Sequence, residues 1–399
     1  MGDRIAGEWL RASETREVIE ALTSRGAQAR FVGGCVRDAI INRPVSDVDV
    51  ATTADPNTAI RLLTDAGMRV IPTGFAHGTV TAVKGRRSFE ITTLREDTQT
   101  FGRKAEVRFT DDWAKDAARR DFTMNALYAD LDGTVHDPLG TGRADLAARR
   151  VRFIGEAADR IQEDYLRILR LFRFHAWYGD GAMEPKALVA SAALTAGLEL
   201  LSRERIGAEF RKTLAAPSPA VAMDMMDQTG VLARSLPSAR ARAPFAALEK
   251  AERRLGTSPA MARRLAFLVR GADPRDAGRE LRLSNDEIAA LRARRAPPAL
   301  VDGVQAARAL GYERGEEAAR DVLLIQAADQ DAVVDVDMVR AATEGADLRL
   351  PVSARDLMEA GMAPGPEIGA ALKRVEGAWV ESDFTLDKAT LLDGARSAA

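Results

Sequence analysis

The segment FVGGCVRDAIINRPVSDVDV, residues 31–50, decides how the rest of the chain is read. A short run, Arg30–Val32, leads into Gly33-Gly34, and an alternating run, Val45–Thr53, follows. The first predicts a strand closed by a tight turn, the second another strand. Residues two apart on a strand share a face, so Asp47 and Asp49 are expected to project together. Like charges held close repel unless a cation joins them. Mg²⁺, a hard ion that takes oxygen ligands, suits such a pair. Gly33 and Gly34 let backbone approach a phosphate closely, and Arg37 offers it a planar charged fork. A lone Asp-x-Asp usually marks a surface turn. Preceded by Gly-Gly-x-x-Arg it is far more specific, and it predicts a site for a nucleoside triphosphate with a metal.

Downstream, Thr79–Val83 and Phe89–Leu94 are β-rich runs separated by the turn Lys84-Gly85-Arg86. Pro56–Ala66 predicts a helix capped by Asp55, with proline at its first position. Glu90 falls on the second run, where it either adds a third carboxylate or faces solvent. Residues 96–113 are polar and read as an irregular loop. After about 144 the pattern turns helical. Apolar residues at 161, 165, 168, 169, 172 and 176 predict one helix over Arg160–Trp177. Further helices are expected at 203–214, 218–229, 245–255, 258–270, 284–294, 302–310 and 315–328. Joints are expected near 180–185, 215–219, 236–244 and 295–299, and Met362–Pro366 predicts a turn between tail helices. The expected class is α+β: a head with a small mixed sheet over 1–143, a helical neck over 144–215, and a helical body and tail over 216–399.

The chain has 399 residues, 46% hydrophobic and 29% charged, with net charge −2, as in a folded globular protein. No run approaches the roughly 18 apolar residues of a membrane span. The charged N-terminus lacks the apolar core of a signal peptide, so the expected compartment is the cytoplasm. One cysteine excludes an intramolecular disulfide, and Cys35 reads as a packing residue. Three histidines leave little for a His-based metal centre. His136-Asp137 reads as a turn, and no HD-type metal site or activity is expected. Residues 301–399 hold 10 basic and 19 acidic side chains, leaving +7 on residues 1–300. Such a front could meet a polyanion, or could simply present solvated helix faces.

Three segments carry a family likeness: 31–50, DAARRDFTMNALY at 116–128, and EDYLRILRLFR at 163–173. Together they resemble the nucleotidyltransferase superfamily that includes DNA polymerase beta. More narrowly, they resemble the class II tRNA nucleotidyltransferase and bacterial poly(A) polymerase family. The resemblance covers essentially the whole chain and is strongest from 30 to 175. It implies that Asp47 and Asp49 hold catalytic Mg²⁺, and that Gly33, Gly34, Arg37 and Arg120 meet the triphosphate. Asp121 would accept from a ribose hydroxyl. The 96–113 segment would be a loop that helps change nucleotide preference.

Asp164 and Arg167, three apart on the expected helix, would read the base, with Arg170 and Arg173 on following turns. A lone Asp-x-x-Arg is usually an ordinary helix ion pair, but here it matches the family's base-recognition motif. Arginine only donates and a carboxylate only accepts. Cytosine and adenine both present a ring-nitrogen acceptor beside an amine, while uracil and guanine present the reverse. One Asp/Arg pair can therefore take C and A and refuse U and G.

The resemblance implies template-independent addition of C, C and A to tRNA from CTP and ATP, releasing pyrophosphate. The alternatives are a poly(A) polymerase, a CC-adding or an A-adding relative; a non-catalytic RNA-binding protein ranks lower. The segment after the first motif, Val70–Val83, lacks the basic stretch of the poly(A) polymerases, which favours tRNA. A monomer is expected, with a dimer the alternative.

Overall fold

The computed structural model describes residues 3–101, 104–240, 243–297 and 299–397. The chain divides into two compact units, Met1–Pro237 and Ser238–Ala399. The first contains every motif named above.

The first unit opens with α1 (Glu8–Arg11) and α2 (Ser13–Thr23), then β1 (Ala29–Val32), α3 (Gly34–Ile40), β2 (Val48–Thr52) and α4 (Pro56–Asp65). Next come β3 (Arg69–Gly74), β4 (Thr79–Lys84) and β5 (Arg87–Thr93). A pair follows, β6 (Arg95–Phe101) and β7 (Lys104–Phe109), then α5 (Trp113–Ala118) and the short β8 (Tyr128–Ala129) and β9 (Val135–His136). Seven strands form one sheet in the order β3-β4-β5-β2-β1-β8-β9. Only β2 and β5 run parallel, which makes the sheet mixed, as expected. Their register sets Asp49 beside Glu90. Val48, Val50, Phe89 and Ile91 alternate with these two and are buried, so the opposite face of both strands is core.

Phe31 of β1 is fully buried and meets Trp9 edge-on, with ring centroids 4.9 Å apart. A buried Phe side chain contributes about 1.5–3 kcal/mol to folding. Asp55 caps α4, accepting from the backbone N–H groups of Asn57 and Thr58, with Pro56 in the first turn.

Three readings of this unit need correcting, the third among its helices. The 96–113 segment is no irregular loop: β6 and β7 pair antiparallel from Arg95↔Phe109 to Phe101↔Lys104, a ladder separate from the main sheet. The reading rested on the polar composition of the segment: β6, REDTQTF, shows no apolar alternation, although β7, KAEVRF, does. Positions 102–103 lie outside the described residues. His136 is not in a turn either. It ends the edge strand β9, Nε2 2.6 Å from Asp130 Oδ2, and the turn begins at Asp137, whose carbonyl accepts from Gly140 N.

Helices complete the unit: α6 (Gly142–Ala147), α7 (Ala157–Glu163), α8 (Leu166–Tyr178), α9 (Pro185–Ala193), α10 (Arg203–Leu214), α11 (Ala220–Gln228) and α12 (Val231–Ser235). The single helix expected over Arg160–Trp177 is therefore two. Asp164 is extended (φ −153°, ψ 107°), and Tyr165 is the N-cap of the second helix, which begins at Leu166. The Tyr165 ring lies against Gly197, where a Cβ would come within 1.9 Å of it. The apolar period ran through this break because both helices bury the same kind of face: Ile161 in α7, and Ile168, Leu169 and Phe172 in α8.

The second unit is helical throughout its described residues, from Phe245–Leu255 to Lys388–Ser397. Helices Gly303–Arg314 and Val336–Asp347 cross with their backbones touching. A Cβ on Gly311 would lie 1.9 Å from the Ala342 carbonyl oxygen, and one on Gly345 2.0 Å from that of Arg308. Three buried arginines are matched by carboxylates. Arg263 donates to Glu252 and Asp321 (both 2.8 Å), Arg264 to Glu252 (2.7 Å), and Arg294 to Asp321 and Glu317 (both 2.6 Å). Removing one partner from such a set costs about 3–5 kcal/mol, because a charge is left buried alone. No helix among the described residues is long and apolar enough to cross a membrane.

Candidate active site

Asp49 stands in β2, and Asp47 lies one residue before the strand begins. Asp47 is exposed and accepts from Ser46 Oγ at 3.0 Å, while Asp49 is partly buried. Burial, the neighbouring Glu90 and Asp47 push the Asp49 carboxyl up, against the pull of Arg120 and Arg37, to about 6. The three carboxylates therefore act on one another electrostatically. Among the described residues, however, no three His, Cys, Asp or Glu side chains are grouped closely enough to hold an ion by themselves.

Asp49 opens into a cavity of about 470 Å³. Gly33 and Gly34 form its floor beside Arg37, and Gly33 needs its left-handed φ of 73° to turn β1 into α3. Six arginines line the cavity (Arg37, Arg119, Arg120, Arg167, Arg170, Arg205) against three aspartates (Asp49, Asp121, Asp164). That excess of positive charge suits a polyphosphate. A larger cavity, about 690 Å³, is lined by Val48 and Phe89, whose side chains alternate with Asp49 and Glu90; neither Asp47 nor Asp49 lines it.

The arginines are held by a framework. Asp116, fully buried, pairs with Arg119 Nη2 at 2.6 Å and Arg120 Nη2 at 3.0 Å, and accepts from Tyr128 Oη at 2.7 Å. Burial raises its carboxyl, but Arg120, Arg119 and the tyrosine hydroxyl outweigh that and hold it near 2. Asp121 Oδ1 accepts from Phe122 N (2.8 Å) and Asn125 Nδ2 (2.9 Å), and its Oδ2 from Arg170. Here too burial raises the carboxyl, and Arg170 and Asn125 bring it down to about 2. Arg37 lines the cavity, but protein groups engage its fork. It donates to both Asp38 oxygens (3.0 Å each), to Asn125 Oδ1 (2.6 Å) and to Tyr178 Oη (2.6 Å), and its guanidinium lies 3.9 Å over the Tyr178 ring.

Asp164 and Arg167 both line the cavity but do not pair with each other. The expectation of neighbours on one helix is corrected by the break between α7 and α8. Asp164 Oδ1 accepts from Leu166 N at 3.1 Å, and its Oδ2 from Arg205 Nη2 at 2.7 Å. Arg167 pairs instead with Glu163 and donates to the Arg160 carbonyl at 2.9 Å. Arg160 in turn donates to the backbone carbonyls of Arg119 (2.5 Å) and Arg120 (2.6 Å) and pairs with Glu163 at 2.7 Å. Arg173 does not line the cavity. It pairs with Glu209 of α10 at 2.5 Å and lies over the Phe174 ring. Phe172 and Phe174 are buried, and Phe174 also lines the cavity.

The sequence reading missed Asp116, Arg119, Asn125, Arg160 and Arg205. Four of them lay inside or beside quoted motifs. Nothing local marks Arg205.

Two family models match the chain. One, described as the poly A polymerase head domain, covers residues 29–152. The other, described as a probable RNA and SrmB-binding site of polymerase A, covers residues 182–242. The chain is 34% identical to the mitochondrial CCA tRNA nucleotidyltransferase 1 of Mus musculus over 397 residues, 94% of this chain and 88% of that one. It is 33% identical to the CCA-adding enzyme of Limosilactobacillus fermentum over 392 residues, 95% of each chain. Its match to the Danio rerio mitochondrial CCA tRNA nucleotidyltransferase 1 is 48% identical over 190 residues and spans 44% of that protein.

Among solved structures, the Bacillus stearothermophilus CCA-adding enzyme in complex with CTP superposes with TM-score 0.72 at 29% identity, covering 97% of this chain and 98% of that one. The Thermotoga maritima CCA-adding enzyme complexed with tRNA shares the fold, with TM-score 0.72 at 18% identity over the full length of both chains.

Proposed function

The chain belongs to the CCA tRNA nucleotidyltransferase (CCA-adding enzyme) family, and we propose that it adds C, C and A in turn to the 3′ end of tRNA. CTP and ATP are the donors, pyrophosphate leaves at each step, and no nucleic-acid template is used. One observation carries the reading. A single cavity brings Asp49, Asp164 and six arginines, Arg167 among them, together, so one bound nucleotide can meet all of these groups. Similarity to a relative crystallised with CTP supports it.

Nucleotidyl transfer in this family depends on a metal, and Mg²⁺ is the ion proposed here, held by Asp47 and Asp49. The residues fit it: Asp49 is crowded by the charges of Glu90 and Asp47, a repulsion that a hard divalent cation relieves. When bound, the ion would lower the proton affinity of the primer 3′-hydroxyl and neutralise triphosphate charge. Glu90 stands beside Asp49 as a candidate third carboxylate.

The protein's own part is positioning. Gly33 and Gly34 let the triphosphate reach the backbone, and Arg120, fixed by Asp116, faces its oxygens. Arg37, braced by Asp38, Asn125 and Tyr178, adds charge from one side. Asp121 marks the ribose end, where a hydroxyl would share Oδ2 with Arg170. Asp164 would accept from the amine of C or A while Arg167 donates to the ring nitrogen; uracil and guanine would set a carbonyl against Asp164 and an N–H against Arg167. Arg173 would support this face through Glu209. Residues 1–143 form the proposed catalytic head and 144–215 the neck. Residues 216–399 form a body and tail that would bind tRNA through backbone shape and charge.

The test is an extension assay with purified protein, Mg²⁺ and tRNA lacking its CCA end, supplied with each nucleotide alone and in pairs. Two added C residues with CTP, and a full CCA with both nucleotides, are the expected products. Long A tails on any RNA would replace this reading with the poly(A) alternative.

A further inference from the structure

We propose that Arg205 is a positioning residue for nucleobase choice: it holds the Asp164 carboxylate in the orientation that reads the base. This rests on the nucleotidyl-transfer reading above.

Asp164 sits on an extended residue between two helices, where no helical turn fixes its side chain. Two contacts orient its carboxylate. Leu166 N holds Oδ1 at 3.1 Å, a local bond from the first residue of α8. Arg205 Nη2 holds Oδ2 at 2.7 Å, and comes from α10, 41 residues away. A carboxylate has about four acceptor sites, so both bonds leave acceptor capacity facing the cavity.

Arg205 is itself placed by the packing of α10 on α8. Arg173 Nε donates to Glu209 at 2.5 Å, and Trp177 Nε1 to the Lys212 carbonyl at 2.7 Å. Arg167, by contrast, is held by Glu163 and the Arg160 carbonyl. The two base-reading groups are thus set by different elements, and their spacing depends on Arg205. Held by Leu166 N alone, the carboxylate would pivot about Oδ1 and present Oδ2 at no fixed place beside Arg167. The donor–acceptor pair that refuses uracil and guanine would then be lost.

Single-turnover addition of each of the four nucleotides to tRNA lacking CCA tests this, comparing the unmodified protein with Arg205→Ala and Arg205→Lys. Arg205→Ala is expected to raise U and G addition relative to C and A by about tenfold, the worth of one charge-assisted hydrogen bond. Arg205→Lys keeps the charge without the fork and is expected to restore part of the discrimination. Equal slowing of all four nucleotides, with discrimination intact, would show a merely structural role and overturn the proposal. Should Arg205→Ala fail to fold, Arg205→Gln keeps a polar side chain, shorter and without the charge, and carries the same two outcomes. An unmodified protein that adds nothing to tRNA would instead overturn the reading on which the proposal stands.

Discussion

Arg170 of α8 donates through Nε to Asp121 Oδ2 at 2.8 Å, joining two residues 49 apart in the chain. Asp121 belongs to the segment that carries the phosphate-facing arginines, and Arg170 to the helix that carries the base-reading pair. Their bond closes the candidate site between the two.

Arg170→Ala leaves the Asp121 carboxylate buried without its cation. We expect a loss of about 2–3 kcal/mol in unfolding free energy, the cost of removing a hydrogen-bonded charge partner. Urea unfolding at neutral pH measures it, and a change under 0.5 kcal/mol would mean that the bond contributes little.

Acid should weaken the same region. Asp116 and Asp121 are both held near 2, below the ordinary 3.8. A depressed carboxylate contributes its stability fully above the ordinary value and loses it as pH falls toward the folded one, on the order of 2 kcal/mol for each group. Unfolding free energy should therefore fall as pH drops from about 4 to about 2. The fall should be shallower in Asp121→Asn; equal slopes in both proteins would contradict the assignment.

Asp49→Asn removes a carboxylate crowded by Glu90 and Asp47. The ion-free protein should melt at the same temperature or higher, because the repulsion is gone. Addition to tRNA should fall by about 10³-fold or more, since loss of a ligand for a catalytic ion removes several kcal/mol of transition-state stabilisation. Mg²⁺ should raise the melting temperature of the unmodified protein and leave that of the variant unchanged. An equal rise in both would place the ion elsewhere.

Asp164→Ala should relax base choice and leave the Mg²⁺-dependent melting shift intact, because Asp164 belongs to the break between α7 and α8 and not to the β2 segment that carries the carboxylate pair. Incorporation of all four nucleotides under single-turnover conditions is the measurement. Unchanged selectivity would remove Asp164 from base reading.

Affinity for tRNA should fall steeply between 50 and 200 mM salt, because phosphate contacts release counterions. A filter-binding titration at several salt concentrations reads the slope, and a flat response would argue against a phosphate-contacting surface.

Much of the fold was legible because it follows from local rules. Gly33 was readable as a turn because few other residues tolerate its φ of 73°. Asp55-Pro56 announced α4 through capping chemistry that needs only the next three residues. The strand pattern placed Asp49 and Glu90 correctly, although Asp47 lies one residue outside β2. Where no local rule discriminates, the reading failed. β6, REDTQTF, carries no apolar alternation, and the two-residue break at Asp164 leaves the apolar period of its flanking helices undisturbed.

Residue types and their spacing along the chain therefore determined the family, the mixed sheet, the carboxylate pair and the arginine-rich segments. Period-two and period-3.6 patterns, turn residues and caps are properties of the backbone within a few residues. Tertiary structure alone decided which charged groups meet. Arg37 meets Tyr178 across 141 residues, Arg170 meets Asp121, and Asp164 meets Arg205 rather than the Arg167 that lies three residues away. Such partners are set by how helices pack on the sheet and on one another, and a charged side chain carries no mark of its partner until that packing brings the two within a few ångströms.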